Sequence, residues 1–169
     1  MTRTEIWLIR HGETDWNANG TLQGHIDIPL NSVGKLQADG LGEFLSRNEI
    51  NVDFCDTIYS SDLQRATLTA ELIKGKFENG RFSHLNTDQR LREVHAGILQ
   101  GKKLSQCGVR SHDAYSPIAP EGESYFEVQQ RVVKAIEGIV QKHQGKTILV
   151  VLHGGSNKNV FMFCSWVRP

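Results

Sequence analysis

Two short apolar runs, each closed by a His-Gly, constrain this chain more than any other feature. Ile6-Trp7-Leu8-Ile9 leads into Arg10-His11-Gly12-Glu13-Thr14, and Thr147-Ile148-Leu149-Val150-Val151-Leu152 leads into His153-Gly154-Gly155. Apolar runs of four to six residues broken by glycine read as buried strands that run into tight turns. In an open α/β sheet, ligands bind just beyond the carboxyl ends of the strands, near helix N-termini whose free N–H groups favour anions. The sequence therefore places a cation and an imidazole where a phosphate would sit, and then repeats the arrangement. Core packing does not account for two strands that both end in His-Gly.

Taken in order, the rest of the chain alternates between the two periods. Thr14-Asp15-Trp16-Asn17 predicts a short helix ending near Asn19-Gly20, and Leu22 to Leu30 reads as a loop. From Asn31 or Ser32 to about Arg47, the residues Val33, Leu36, Leu41, Phe44 and Leu45 predict an amphipathic helix with that apolar stripe in the core. Gly34, Gly40 and Gly42 weigh against it, at about 1 kcal/mol each relative to Ala. Phe54 to Ser60 has the composition of a strand. Ser61-Asp62-Leu63-Gln64 has capping-box spacing, and behind it Leu63, Ala66, Ala70 and Ile73 mark one face of a helix to about Lys74. Arg65 falls in the first turn of that helix, where a positive charge opposes the macrodipole and a bound anion would reverse the sign of the cost.

Arg81 to Asn86 reads as a weak strand, Leu91 to Gly101 as irregular, and 102–122 as a polar loop over the sheet edge. Ser124-Tyr125-Phe126-Glu127 is a second capping box. Its helix carries Tyr125, Val128, Val132, Ala135, Ile136, Ile139 and Val140 to about His143. Strands alternating with helices of this length imply parallel βαβ units. The expectation is an α/β fold in three layers, a mainly parallel sheet with helices on both faces, forming one domain over 1–169.

Composition narrows the function classes. Nineteen Lys and Arg balance 19 Asp and Glu, giving zero formal charge, so the chain lacks the general basic character of a nucleic-acid or membrane-surface binder. The apolar runs are far shorter than a membrane span, and no signal-peptide core precedes the first strand. Cys55, Cys107 and Cys164 are odd in number without paired spacing, which predicts neither a disulfide framework nor a zinc site. A cytoplasmic, reducing setting follows. His25, His84, His95, His112 and His143 share no metal-ligand spacing and read as surface or structural, with His95 close enough to Glu93 to touch a substrate.

The first motif resembles the signature of the histidine phosphatase superfamily, also called the phosphoglycerate mutase-like family. Four further segments are similar to it in the right order: Ser60-Ser61-Asp62-Leu63-Gln64-Arg65-Ala66, Leu91-Arg92-Glu93 with Gly97 and Gly101, Pro120-Glu121-Gly122-Glu123-Ser124 entering a helix with Arg131, and the second His-Gly. The resemblance implies a phosphoglycerate mutase-like fold and a phosphohistidine mechanism without metal or other cofactor. It gives His11 the role of nucleophile. Arg10, Arg65 and His153 would hold the phosphoryl oxygens, and Glu93 would protonate the leaving oxygen and then help activate water. Asn17, Gln23, Gly24 and Gly154 match positions that line the phosphate pocket. The substrate so implied is a small phosphorylated metabolite, and a homodimer stays open. His11 must attack as neutral imidazole whereas His153 is most useful protonated. The arginines are expected to lower the pKa of the first, and bound phosphate to raise that of the second.

Phosphatases and mutases of this family share that site. The mutases grip phosphoglycerate with an Arg pair on a long insertion, but the short interval from Glu93 to His153 has no adjacent Arg pair, only Lys102-Lys103 and Arg110. This favours phosphomonoester hydrolysis, with mutase-type phosphoryl transfer as the alternative. Family members follow the second His-Gly with a full helix and a further strand, whereas the stretch Val160 to Val167 resembles the family poorly. It reads as a C-terminal truncation. That departure carries a third reading, a phosphate-binding scaffold with little or no turnover.

Overall fold

The computed structural model describes residues 3–47, 54–77, 81–107 and 114–155. Arg110, His112, Cys164 and the apolar stretch 160–167 lie outside them. Four strands form a sheet in the order β1-β4-β2-β3, with β1 at Glu5–Arg10, β2 at Phe54–Ser60, β3 at His84–Thr87 and β4 at Thr147–Leu152. All three pairings are parallel. Every residue of β4 is buried, as expected for a central strand with helices on both faces. Its alternating side chains serve two cores. Ile148, Val150 and Leu152 pack with Val128, Val132, Ala135, Ile136 and Ile139 of helix α5 (Tyr125–Lys142). Leu149 and Val151 pack on the other face with Leu45 of helix α2 (Ser32–Ser46) and with Ala66, Ala70 and Ile73 of helix α3 (Gln64–Lys74).

This division follows from connection handedness. The chain steps from β1 to β2 to β3 with α2 and α3 on one face, then returns to β4 with α5 on the other, as right-handed crossovers require. The three-layer α/β expectation holds. Two further α-helices among the described residues are short: α1 (Asp15–Ala18) and α4 (Leu104–Cys107), the latter inside the stretch expected to be only loop.

Local chemistry explains the element ends, and in two places corrects the sequence reading. The Ser124 box forms as predicted, the serine hydroxyl accepting from the Glu127 N–H while the Glu127 carboxylate accepts from the Ser124 N–H. Thr14 and Asn17 make an equivalent box on α1. The Ser61 box does not form. Helix α3 begins two residues later than that spacing implies, with Leu63 as its N-cap and no side-chain cap of its own. Its first turn is met from outside, where the Asp27 carboxylate accepts the Gln64 backbone N–H at 2.8 Å and the Gln64 side-chain amide at 3.1 Å.

The second correction concerns α2. Its boundaries match the expectation, but the stripe holds only in part: Leu45 is buried and Leu41 packs against the same core, whereas Val33, Leu36 and Phe44 are exposed and Gly34, Ala38 and Gly42 are buried instead. A Cβ on Gly42 would stand 2.9 Å from the Ile73 Cα, and one on Gly34 only 2.1 Å from the Glu13 carbonyl oxygen. The glycines counted against the helix are what lets it approach α3 and the His11 turn, and close approach decides the orientation over apolar area. Strand β3 is also shorter than Arg81 to Asn86, beginning at His84.

Candidate active site

Because the strands are parallel, their carboxyl ends finish on one edge, and the chain-distant motifs meet there. The β1–β4 ladder continues one residue past β1, the His11 N–H donating to the Leu152 carbonyl, and the Ser61 N–H donates to that of Val151. His11 and His153 thus leave neighbouring strands together, with ring centroids 5.0 Å apart. Both are buried, His153 completely.

The two imidazoles are held differently. His11 Nδ1 lies 2.7 Å from the Gly12 carbonyl oxygen. A carbonyl only accepts, so Nδ1 carries the proton and, in the neutral ring, Nε2 keeps its lone pair. Burial lowers the His11 pKa to about 4; the Gly12 bond works against the shift, and the charges of Arg65 and Arg10 add to it. The arginines do act in the expected direction, but desolvation dominates. His153 is pushed well below the ordinary histidine value, again chiefly by burial and then by Arg65 and His11. Neither of its ring nitrogens has a hydrogen-bond partner among the described residues.

Arg65 is fully buried at the start of α3. Its two terminal nitrogens donate to backbone carbonyls, Nη1 to Ile26 at 2.9 Å and Nη2 to Gly24 at 2.8 Å, while Nε is buried without a partner among the described residues. Burial lowers its pKa to about 10 against the opposing pull of Glu93 and Asp27, so it remains a cation at neutral pH. A buried cation fastened only to carbonyls, beside two unbonded imidazole nitrogens, is a group of polar atoms that an oxyanion would satisfy.

Glu93 follows the 3₁₀ turn Gln89–Leu91. Its Oε1 accepts from the Val94 N–H at 2.9 Å and its Oε2 from the Gly155 N–H at 3.0 Å, which ties the carboxyl group to the turn after His153. A Cβ on Gly155 would fall 2.3 Å from Oε1. Arg10 is exposed at the end of β1, and its Nε would be 3.5 Å from a Cβ on Gly154. Of the two glycines of His-Gly-Gly, Gly155 makes room for Glu93, whereas a side chain at Gly154 would only come into ordinary contact with Arg10.

The remaining predicted positions surround this core. The Thr14 hydroxyl lies 3.0 Å from both Asn17 Oδ1 and Gln23 Oε1, and the Thr14 N–H also donates to Asn17 Oδ1. These bonds use the carboxamide oxygens and leave the amide N–H groups as the donors available to an anion. Gly24 contributes through its carbonyl, in a left-handed conformation with φ 54°.

Several residues that matter to the geometry were given no site role from sequence, although Arg92, Glu123 and Arg131 lie in the segments similar to the family and His95 was placed near Glu93. His25, read as structural, donates from Nε2 to the Glu93 carbonyl at 2.7 Å. Arg131 Nη1 donates to the carbonyls of Arg90 and Arg92, and its Nη2 to that of Glu93, while two of its nitrogens bond Glu123. Burial works against the Glu123 carboxylate, yet the Arg131 bonds and the His95 N–H hold it below the usual range. Arg92 bonds Asp62 through Nε and Nη2. His95 packs edge-on against His25 at 4.8 Å. Gly155 had a visible signal, the doubled glycine, whereas the His25 and Arg131 contacts join loops that no periodicity connects.

A family model for the histidine phosphatase superfamily (branch 1) matches residues 6–164. The chain belongs to this superfamily. Histidine phosphatase relatives include phosphoglycerate mutase-like protein 4 of Arabidopsis thaliana, 37% identical over 93% of this chain and 69% of the relative. The metal-independent phosphoserine phosphatase of the same plant is 37% identical over 94% of this chain and 68% of its own length. Among solved histidine phosphatase-like structures, Bacillus stearothermophilus YhfR is 34% identical with a TM-score of 0.82, covering 98% of this chain and 81% of that one. A mycobacterial glucosyl-3-phosphoglycerate phosphatase in complex with VO3 is 26% identical with a TM-score of 0.78, covering 95% and 81%. Membership makes the chain an enzyme of the phosphatase class.

Proposed function

We propose that this chain hydrolyses small phosphomonoesters through a phosphohistidine on His11, without a metal ion. The observation that supports the reading is the pairing of a neutral imidazole, its Nδ1–H fixed on the Gly12 carbonyl, with nitrogens of Arg65 and His153 that have no partner among the described residues. The Nε2 lone pair forms the N–P bond as the ester P–O bond breaks, and Glu93 gives a proton to the departing oxygen. The Gly12 carbonyl then steadies the positive charge that phosphorylation leaves on the ring. Water attacks phosphorus in the second step, Glu93 takes its proton, the N–P bond breaks and inorganic phosphate departs.

Phosphoryl transfer asks a protein mainly for positioning and charge stabilisation. Arg10, Arg65 and protonated His153 supply that charge from the protein itself, and guanidinium forks match phosphate oxygens. Bound phosphate favours the protonated form of His153, offsetting its burial. The cytoplasmic, small-metabolite setting remains part of this proposal.

The deciding experiment is phosphate release from a panel of phosphomonoesters in chelator, with the parent chain and His11→Ala side by side. Release by the parent alone supports the mechanism. Equal release by both proteins, or none from a folded parent, overturns it.

A further inference from the structure

Thr69, on α3 one helical turn after Arg65, is 1% exposed. Its hydroxyl donates to the Arg65 carbonyl at 2.7 Å and accepts the backbone N–H of Gly12 at 3.1 Å. Bonding back to the carbonyl four residues earlier is a common habit of helical threonine, and by itself means nothing. The second bond spans 57 residues and ends on the turn that aims the nucleophile. Gly12 lies just past the β1–β4 ladder, whose last bond is made by the His11 N–H. The Gly12 N–H therefore has no strand to donate to. Its carbonyl holds His11 Nδ1, and its missing side chain lets α2 close over it, a Cβ there falling 2.3 Å from the Gly34 carbonyl oxygen.

We infer that Thr69 is a positioning residue: its hydroxyl locks the Gly12 turn, and hence His11 Nε2, in register with the helix that carries Arg65. The donor and acceptor roles allow no alternative assignment, because the single hydroxyl hydrogen goes to a carbonyl and the lone pair to an N–H. Serine preserves both bonds. Valine keeps the shape and loses both, freeing the Gly12 turn to shift.

The kinetic arm of the test rests on the proposed phosphatase reading; the titration arm does not. Thr69→Val and Thr69→Ser are compared with the parent in p-nitrophenyl phosphate turnover and in an NMR pH titration of the His11 ring. Misplacing reacting groups by an ångström costs on the order of 10²-fold. Thr69→Val is therefore expected to lose about 10- to 100-fold in kcat with KM within about twofold. Its His11 should titrate nearer the ordinary histidine range than the parent's, and Thr69→Ser should match the parent in every readout. A folded Thr69→Val protein with parental kcat and parental His11 titration overturns the inference, as does a loss confined to KM. If the parent does not turn the ester over, the phosphatase reading falls, and the His11 titration still decides for or against Thr69. Thr69→Cys, whose thiol is a weaker acceptor, serves if the valine variant does not fold; parental values in it also overturn the inference.

Discussion

His11 and His153 leave adjacent parallel strands, stand 5.0 Å apart and are both buried, yet only one is finished without a ligand. His11 has a bonded Nδ1 and a tautomer fixed by its own turn, so the proposed nucleophile is oriented by the protein alone. His153 has neither nitrogen bonded among the described residues. It follows a strand buried at every position, and the positive charge of Arg65 adds to burial in holding it neutral. The comparison teaches that one site can contain a preorganised group and a deliberately incomplete one. The first shortens the path to reaction; the second makes binding depend on the charge of what binds.

Removing each histidine is the most forceful way to break this comparison. His11→Ala is expected to lose at least about 10⁴-fold in kcat, as loss of a nucleophile should. His153→Ala should lose less, about 10²–10³-fold, the usual effect of deleting one stabilising donor. Single-turnover measurements on both variants check the ranking, and equal residual rates would contradict the division of roles. Arg65→Ala belongs with His153→Ala, weakening phosphate engagement together with rate.

The next effect is thermodynamic. His11 has a folded-state pKa of about 4 against an ordinary value of 6.5. Between those values the unfolded chain binds a proton that the native site refuses, so stability is fully present above about pH 6.5 and declines as pH falls toward 4. The shift corresponds to about 3 kcal/mol from His11, and His153 acts in the same direction. Urea unfolding at pH 7.5 and pH 4.5 should show the loss, with a smaller one in His11→Asn. A stability independent of pH across this window would mean that the ring is not held neutral.

The smallest predicted effect sharpens the contrast directly. Sulfate does not titrate near neutrality, so any pH dependence in its binding belongs to the protein. Thermal stabilisation by sulfate should increase from pH 8 to pH 6 as the anion draws a proton onto His153. His153→Asn should remove that dependence, whereas Thr69→Ser should leave it intact.

What could be seen in the sequence was local, and what was hidden was mostly contact between distant segments. β4 and α5 were legible because a doubly covered strand is apolar throughout and because Ser124 and Glu127 announce a helix start within four residues. The motif residues His11, Arg65, Glu93 and His153 were legible for a related reason: each sits at the end of an element, and the ends share one edge. The cap of α3 was not, because its acceptor, Asp27, comes from another loop. The orientation of α2 was legible only in part: Leu41 and Leu45 do face the core, but apolar size also drew in Val33, Leu36 and Phe44, while clearance beneath Gly34 and Gly42 set the packed face. Thr69 gave no signal at all, since a threonine in a helix looks the same whether or not a distant backbone group depends on it.

The strand order also has a consequence for how the molecule comes into being. β4 lies between β1 and β2, so the first two strands synthesised have no edge in common until the fourth has been made. A growing chain on the ribosome therefore carries Trp7, Ile9 and Ile58 without their eventual central neighbour for most of its synthesis. Closing contacts of such long sequence separation is slow, and unpaired strand edges invite association meanwhile. The same late insertion delivers His153, so the proposed phosphate site is not assembled until β4 has entered between β1 and β2.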